Sequence, residues 1–463
     1  MIKQESAKKT NSFIDIALYF TVLFHSTYFL VRNYNPNGHL QIYTGFLLIG
    51  VISLYGIITS KRCITIKSFV CIFSYIFFFL APWQQYAEGS KPIWHVRGLS
   101  IVYTDELYLK ANAVVIGTLL IFLLTYQLMQ LSHKEEKKRI CSIQQKSCIP
   151  DYLRIGLTAL SAISLLLLIF TNNLTGNHGT IVKDVNANWQ IISMIRFVPG
   201  YALIIYGTYC RVQTNVIARI RSMLDYYELA DILCIFLVIY NPLYGWPSRT
   251  MWLVPVTAVL ALIFYDLIPK SISFVIYYYA LVVLFTPLKA VTLSTIDLTD
   301  FVSKANLNYF DYDAYQLLMT IIAYTDKTGI VFGKNILSAL AFLIPRSLWT
   351  GKMDATGGIA VRYFGSDFTN VSAPFVAELY FAFGWLGCIW GAVLIAVLIF
   401  YIDGWYQSQS IFKRGVFCIT AGEIFFICRG ALLSTLSFTL ALILPLVLLR
   451  IGEKFMKDYG RKK

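Results

Sequence analysis

Within eight residues, Pro345-Arg346-Ser-Leu-Trp349-Thr-Gly-Lys352 brings together an arginine, a tryptophan and a lysine. A guanidinium forks onto phosphate oxygens, an ammonium adds a point charge, and an indole favours the headgroup level of a membrane. At a membrane lip this grouping suits a phosphate carried on a lipid; it equally suits an interfacial anchor whose cations snorkel. Arg196, Arg249 and Arg429 lie near the ends of apolar runs, where positive charge is costly and usually faces a partner or a cavity. Arg362 is a further candidate for an anion. Two acids stand out beside these cations. Glu378 opens the apolar run Ala377-Glu-Leu-Tyr380-Phe-Ala-Phe-Gly384-Trp-Leu-Gly387, where a carboxylate would pair with an arginine or serve as a general base. Asp313 sits in Tyr312-Asp-Ala-Tyr315. A third acid, Glu423, is the membrane partner expected for a neighbouring arginine, but it is six residues from Arg429 and does not face it on one helix.

The elements that must position these groups follow from composition. Of 463 residues, 57% are hydrophobic and 14% charged, with mean hydropathy +0.63. A soluble domain carries about 25% charged residues, and a soluble fold this apolar would aggregate. The chain reads as an all-α polytopic membrane protein. Twelve candidate spans are legible, near 13–31, 43–59, 68–82, 109–130, 153–171, 190–209, 229–241, 251–265, 271–288, 375–402, 415–428 and 431–449. The run at 13–31 is too long for a cleaved signal and reads as the first span.

The net charge of +14 does not imply nucleic acid here. With the N-terminus inside, 24 of the 39 Lys and Arg fall in alternate, cytoplasmic segments, His133 to Arg139 being the strongest marker. Both termini are then cytoplasmic. Residues 1–463 form one integral membrane domain, and 289–373 form a long periplasmic segment between spans nine and ten. Two helices are expected inside it. One runs over about 308–324, with Asp311 or Asp313 near its start. The other, about 335–344, is too short to span, stops at Pro345 and fits an interfacial or re-entrant helix. The glycines at 384 and 387 allow close helix approach.

No cofactor or metal is expected. The nine cysteines show no zinc spacing, and neither a phosphate-binding G-x-x-x-x-G-K-[ST] nor an H-E-x-x-H occurs. The loop 32–42 has no acidic residue, so a sugar transferase with paired metal-binding carboxylates there is not expected.

Through Pro345-Arg346-x-x-Trp349-x-x-Lys352 and Glu378-x-Tyr380-x-x-Phe383-Gly384-x-x-Gly387, the chain resembles the bacterial oligosaccharide repeat-unit polymerases, the Wzy class of O-antigen polymerases. The similarity lies mainly in 305–400. Asp313, Arg249 and Arg429 match in position, and Met353 departs from a common proline. The resemblance implies an inner-membrane glycosyltransferase of GT-C type acting at the periplasmic face. Donor and acceptor would be oligosaccharides on undecaprenyl diphosphate, and a chain-length-regulating co-polymerase would be a partner. It implies Arg249 and Arg346, then Lys352 and Arg429, as diphosphate ligands, with Arg196, Arg362, Trp349 and Tyr380 beside them. Glu378 and then Asp313 are the candidate bases. An O-antigen ligase and a lipid-linked oligosaccharide flippase are the alternatives. The ligase is disfavoured because the long segment has no histidine, and the flippase because it does not need that segment.

Overall fold

A computed structural model describes residues 2–60, 65–133, 149–174, 187–209, 227–240, 269–284, 306–406, 408 and 410–460. Among them every regular element is helical. Lipid leaves a spanning backbone no water to bond, so helices must satisfy their polar groups internally. The helices that matter below are α1 (Ile2–Arg32), α2 (Leu40–Ile58), α3 (Ile66–Ala87, with a π turn at Ile76–Leu80), α4 (Asp105–Ser132) and α5 (Asp151–Phe170). They continue with α6 (Ala187–Arg196), α7 (Val198–Tyr209), α8 (Tyr227–Ile239) and α9 (Lys270–Tyr279). Three short helices follow, α10 (Ala314–Thr328), α11 (Lys334–Leu340) and α12 (Thr356–Tyr363). The chain ends with α13 (Phe375–Trp405), α14 (Ile411–Arg429) and α15 (Leu432–Gly460).

Among the described residues, seven helices are long and apolar enough to cross a membrane: Ile14–Arg32, Leu40–Ile58, Ile66–Ala87, Asp105–Ser132, Asp151–Phe170, Phe375–Trp405 and Leu432–Gly452. The chain is a multi-pass membrane protein. The expected sixth span is divided at Phe197, because Pro199, the second residue of α7, has no N–H to continue the ladder. The seventh, expected at 229–241, appears as α8. The eighth, 251–265, lies outside the described residues, and so does the end of the ninth beyond 284. The eleventh appears as α14, whose Lys413, Arg414, Glu423 and Arg429 keep it from being uniformly apolar.

Helix α3 is the central post: its apolar window is wholly buried, whereas that of α1 is 11% buried and lies at the periphery. Phe69, Phe73, Phe77, Phe78 and Phe79 fill the space around it. Where α2 meets α4, Gly45 leaves room for Asn112, which donates to the Ile42 carbonyl at 3.2 Å. The hydroxyl of Tyr315 on α10 then donates to Asn112 Oδ1 at 2.7 Å, tying the excursion at 306–373 into the bundle. At the other end, Asp403 accepts from the Ile66 N–H and from the Tyr126 hydroxyl, both at 2.8 Å, and holds the start of α3. Lys67 and Arg414, counted from sequence as loop charges, are both buried there. Arg414 donates to the Tyr406 and Thr208 carbonyls, each at 3.1 Å.

Helix α13 is not straight. Phe383 (φ −146°, ψ 19°) and Gly384 (φ +62°, ψ −140°) break it, the second in a region only glycine enters freely. On a straight helix, residues twelve apart are separated by about 18 Å. Here Cys388 Sγ lies 4.0 Å from the Val376 carbonyl, and Gly391 faces the side chain of Leu379. The arm Phe375–Ala382 is therefore folded back along the span that follows. Gly387 permits this: a Cβ there would sit 2.1 Å from the Leu379 carbonyl oxygen. The close approach expected of Gly384 and Gly387 is thus of the helix to itself. Carbonyls freed by the break accept from the excursion, Phe381 from the Val331 N–H at 3.1 Å and Ala382 from the Gly333 N–H at 3.3 Å.

Candidate functional site

The excursion is built on two buried carboxylates. Glu378 lies in the folded-back arm and is 2% exposed. Its Oε2 accepts from the Thr356 hydroxyl at 2.6 Å and from Asn335 Nδ2 at 2.8 Å. Its Oε1 accepts from the Leu432 N–H at 2.8 Å. One side chain thus joins the first turns of α11, α12 and α15 to α13. Among the described residues it meets no arginine, so the expected pairing is not formed there, and neither oxygen is without a donor.

Asp313 is wholly buried at the start of α10. Its Oδ2 accepts from Trp94 Nε1 at 2.9 Å, and its Oδ1 from the Ser372 hydroxyl at 2.6 Å and from Arg429 at 2.9 Å. The same Arg429 nitrogen donates to the Phe310 carbonyl at 3.0 Å, and the Arg429 carbonyl accepts from the Ala373 N–H at 3.1 Å. Trp94 lies between Phe310 and Phe368, with ring centroids 4.6 and 4.9 Å away. Four separate stretches, near 94, 310, 372 and 429, converge on this ion pair. The pair is not saturated: Arg429 Nε is buried with no acceptor among the described residues.

Between α11 and α12 hangs the loop that carries the cations. Lys352 Nζ donates to the carbonyls of Ala341, Phe342 and Ile344 at 3.0, 3.1 and 3.0 Å, closing the end of α11 where backbone acceptors would otherwise be orphaned. Burial, with the like charge of Arg346 beside it, holds the Lys352 ammonium below the ordinary lysine value. Arg346 donates to the Lys352 and Met353 carbonyls at 3.0 and 3.2 Å and pairs with Asp354 at 2.8 Å. Arg362 reaches the other oxygen of Asp354 at 3.8 Å. Both arginines are more than half exposed. Lys334 ends near Trp349 beside Gly351. Asp354 thus pairs with two arginines while Lys352 and Lys334 stand nearby, so the loop and its flanks present excess positive charge to the surroundings.

The apolar residues of this region are displayed outward: Phe332, Leu337, Leu340, Leu343 and Leu348 are all exposed. The ring of Phe383 packs under Gly333, so this rim is continuous with exposed Trp385, Leu386 and Trp390 on the long arm of α13.

Of the other residues proposed from sequence, Tyr380 donates its hydroxyl to Asp326 at 3.0 Å, and Asp326 pairs with Lys110 at 2.6 Å. Arg196 is buried at the break between α6 and α7, where it donates to the Asn173 carbonyl and, at 3.3 Å, to that of Leu174. Arg249 lies outside the described residues. The structure thus brings Arg346, Trp349 and Lys352 together on one loop, with Arg362 of α12 reaching Asp354 beside them. It places Glu378 beneath them and joins Asp313 to Arg429 separately. Asn335, Thr356, Ser372, Asp354 and Lys334 complete these clusters and were not anticipated. Of these, only Asp354 carried a signal, an acid two residues after Lys352. Among the described residues no group of three His, Cys, Asp or Glu side chains is placed to hold a metal.

Residues 366–459 match the family model described as O-antigen polysaccharide polymerase Wzy. The matched stretch holds the folded-back arm with Glu378 and Tyr380, all of α14 with Arg429, and nearly all of α15. The resemblance seen in the sequence is supported there; the cation loop at 345–352 lies before it. No curated protein and no solved structure matches the chain.

Proposed function

From the match of residues 366–459 to the Wzy polymerases, we propose that this protein polymerises oligosaccharide repeat units carried on undecaprenyl diphosphate. It acts as a GT-C-type glycosyltransferase of the bacterial inner membrane. Both termini are cytoplasmic, the site faces the periplasm, and a co-polymerase sets chain length. The growing chain is transferred from its carrier to a new lipid-linked unit. The bond from the anomeric carbon to phosphate breaks, a bond to the acceptor hydroxyl oxygen forms, the electron pair leaves with the diphosphate, and the hydroxyl gives up a proton.

The developing negative charge is the main electrostatic demand, and fixed cations in a low-dielectric site meet it best. Arg346, Arg362 and Lys352 supply them from the loop, together with Arg249. Arg429 holds Asp313 through one nitrogen, and the third of its side chain that meets solvent is where an anion would approach. The exposed apolar rim suits a loop lying at the lipid surface, where a polyprenyl tail stays in the membrane while its diphosphate meets the arginines. Glu378 and Asp313, each holding three donors, act as positioning residues: Glu378 fixes the two helices that flank the cation loop, and Asp313 orients Arg429. The observation that carries the proposal is that the family match covers the helices bearing Glu378 and Arg429.

Deleting the gene in its own host tests this. Surface lipopolysaccharide capped with a single repeat unit is the expected product. Loss of every unit would instead indicate a flippase or a ligase.

A further inference from the structure

A transfer onto a hydroxyl needs an oxygen with a free lone pair to receive the proton. Buried carboxylates of the excursion and of the helices that follow it are Asp311, Asp313, Glu378, Asp403 and Glu423. Glu378 and Asp313 each hold three donors, and Asp311 and Asp403 are partnered as well. Glu423, on α14, is 5% exposed and makes no hydrogen bond or ion pair among the described residues. Its burial is nearly but not wholly complete. Tyr240, at the end of α8, is in the same condition: 5% exposed, with no hydrogen bond from its hydroxyl among the described residues. Tyr240 lies within electrostatic reach of both Glu423 and Arg196. Glu423 also stands six residues before Arg429 on one helix, about 9 Å along the axis from an arginine a third of whose side chain meets solvent. An isolated carboxylate inside a membrane protein is costly and persists where it has work to do.

We propose that Glu423 is the group that takes the proton of the acceptor hydroxyl, with Tyr240 beside it as a hydrogen-bonding partner for the same sugar. The inference rests on the polymerase reading above. As the acceptor oxygen bonds to the anomeric carbon, its proton passes to the Glu423 carboxylate, and the phosphate oxygen departs with the bonding pair. The carboxylic acid then returns its proton to water.

The test uses the full-length protein reconstituted in liposomes with a lipid-linked repeat unit. Glu423→Gln keeps the shape and removes the basic oxygen. It is expected to lower turnover roughly a hundredfold or more, the range of general-base catalysis. KM for the lipid-linked unit and the thermal midpoint should stay at wild-type values. Glu423→Asp is expected to recover part of the turnover. Wild-type chains from Glu423→Gln would overturn the proposal. So would a fall in its thermal midpoint or membrane accumulation, since the carboxylate would then be a structural counterion. If wild-type protein itself makes no chains, the polymerase reading fails first, and the two failures are distinguishable.

Discussion

Removing Glu378 separates a carboxylate that positions from one that reacts. Glu378→Ala takes away the acceptor for Thr356, Asn335 and the Leu432 N–H at once. Each bond is worth about 1 kcal/mol net, and a buried donor left without a partner costs about 1–3 kcal/mol. The Thr356 hydroxyl can rotate to another acceptor, so a total of roughly 3–5 kcal/mol is expected. Glu378→Gln should cost only about 1 kcal/mol. With its Oε1 on the Leu432 N–H, its amide nitrogen turns toward Asn335, whose Oδ1 is buried without a partner and can accept after a flip. The assay compares the thermal midpoint of purified protein with the chain length made in cells lacking the native gene. Glu378→Gln should polymerise, with a midpoint near wild type; Glu378→Ala should melt early and make no long chains. A Glu378→Gln protein of normal midpoint that makes no polymer would refute the reasoning, because only a reacting carboxylate behaves so.

Other consequences are as direct. Asp313→Asn and Arg429→Ala, made singly and together, should show a coupling of about 1–2 kcal/mol in unfolding. That is the low end for a buried pair, since a third of the Arg429 side chain meets solvent; additive effects would contradict the pair. Gly387→Ala puts a methyl 2.1 Å from the Leu379 carbonyl and should lower stability by at least about 2 kcal/mol. Gly404→Ala, with open space around it, should be silent in the same melting assay. Lys352 is a base whose ammonium is disfavoured in the folded state. Raising pH through its depressed value therefore relieves a penalty on folding but removes a charge from the diphosphate site. KM for the lipid-linked unit should rise at a lower pH than an ordinary lysine would give, and Lys352→Arg should abolish that dependence. An unchanged profile in Lys352→Arg would assign the effect elsewhere.

Much of the scaffold was legible because hydropathy reports burial in lipid. The second to fifth spans begin and end within a few residues of α2 to α5, and the first ends with α1 although that helix begins at Ile2. Breaks were harder. Pro199 divides the sixth span inside a mostly apolar run, and the Phe383–Gly384 break lies inside the apolar run of α13. The helix expected at 308–324 begins at Ala314, after a 3-10 turn at Phe310–Tyr312. The one expected at 335–344 ends at Leu340 in a tighter turn, where the Ile344 N–H bonds the Ala341 carbonyl and Lys352 takes up the carbonyls beyond the helix end. Helix α12 went unread because Thr-Gly-Gly is a poor helix start. At the site, residue types were informative but partners were not. Glu378 binds Asn335 and Thr356, 43 and 22 residues away, and no spacing rule reaches that far. Glu423 stood out as a membrane acid, yet its lack of a described partner could be known only once its neighbours were placed.

The central claim is that this single chain joins lipid-linked units. Purified protein in liposomes, given one undecaprenyl-diphosphate-linked repeat unit and nothing else, tests it directly. The account predicts a ladder of products spaced by one repeat, with one undecaprenyl diphosphate released per bond formed. Recovery of the single unit unchanged, by protein that is folded and correctly inserted, would contradict it.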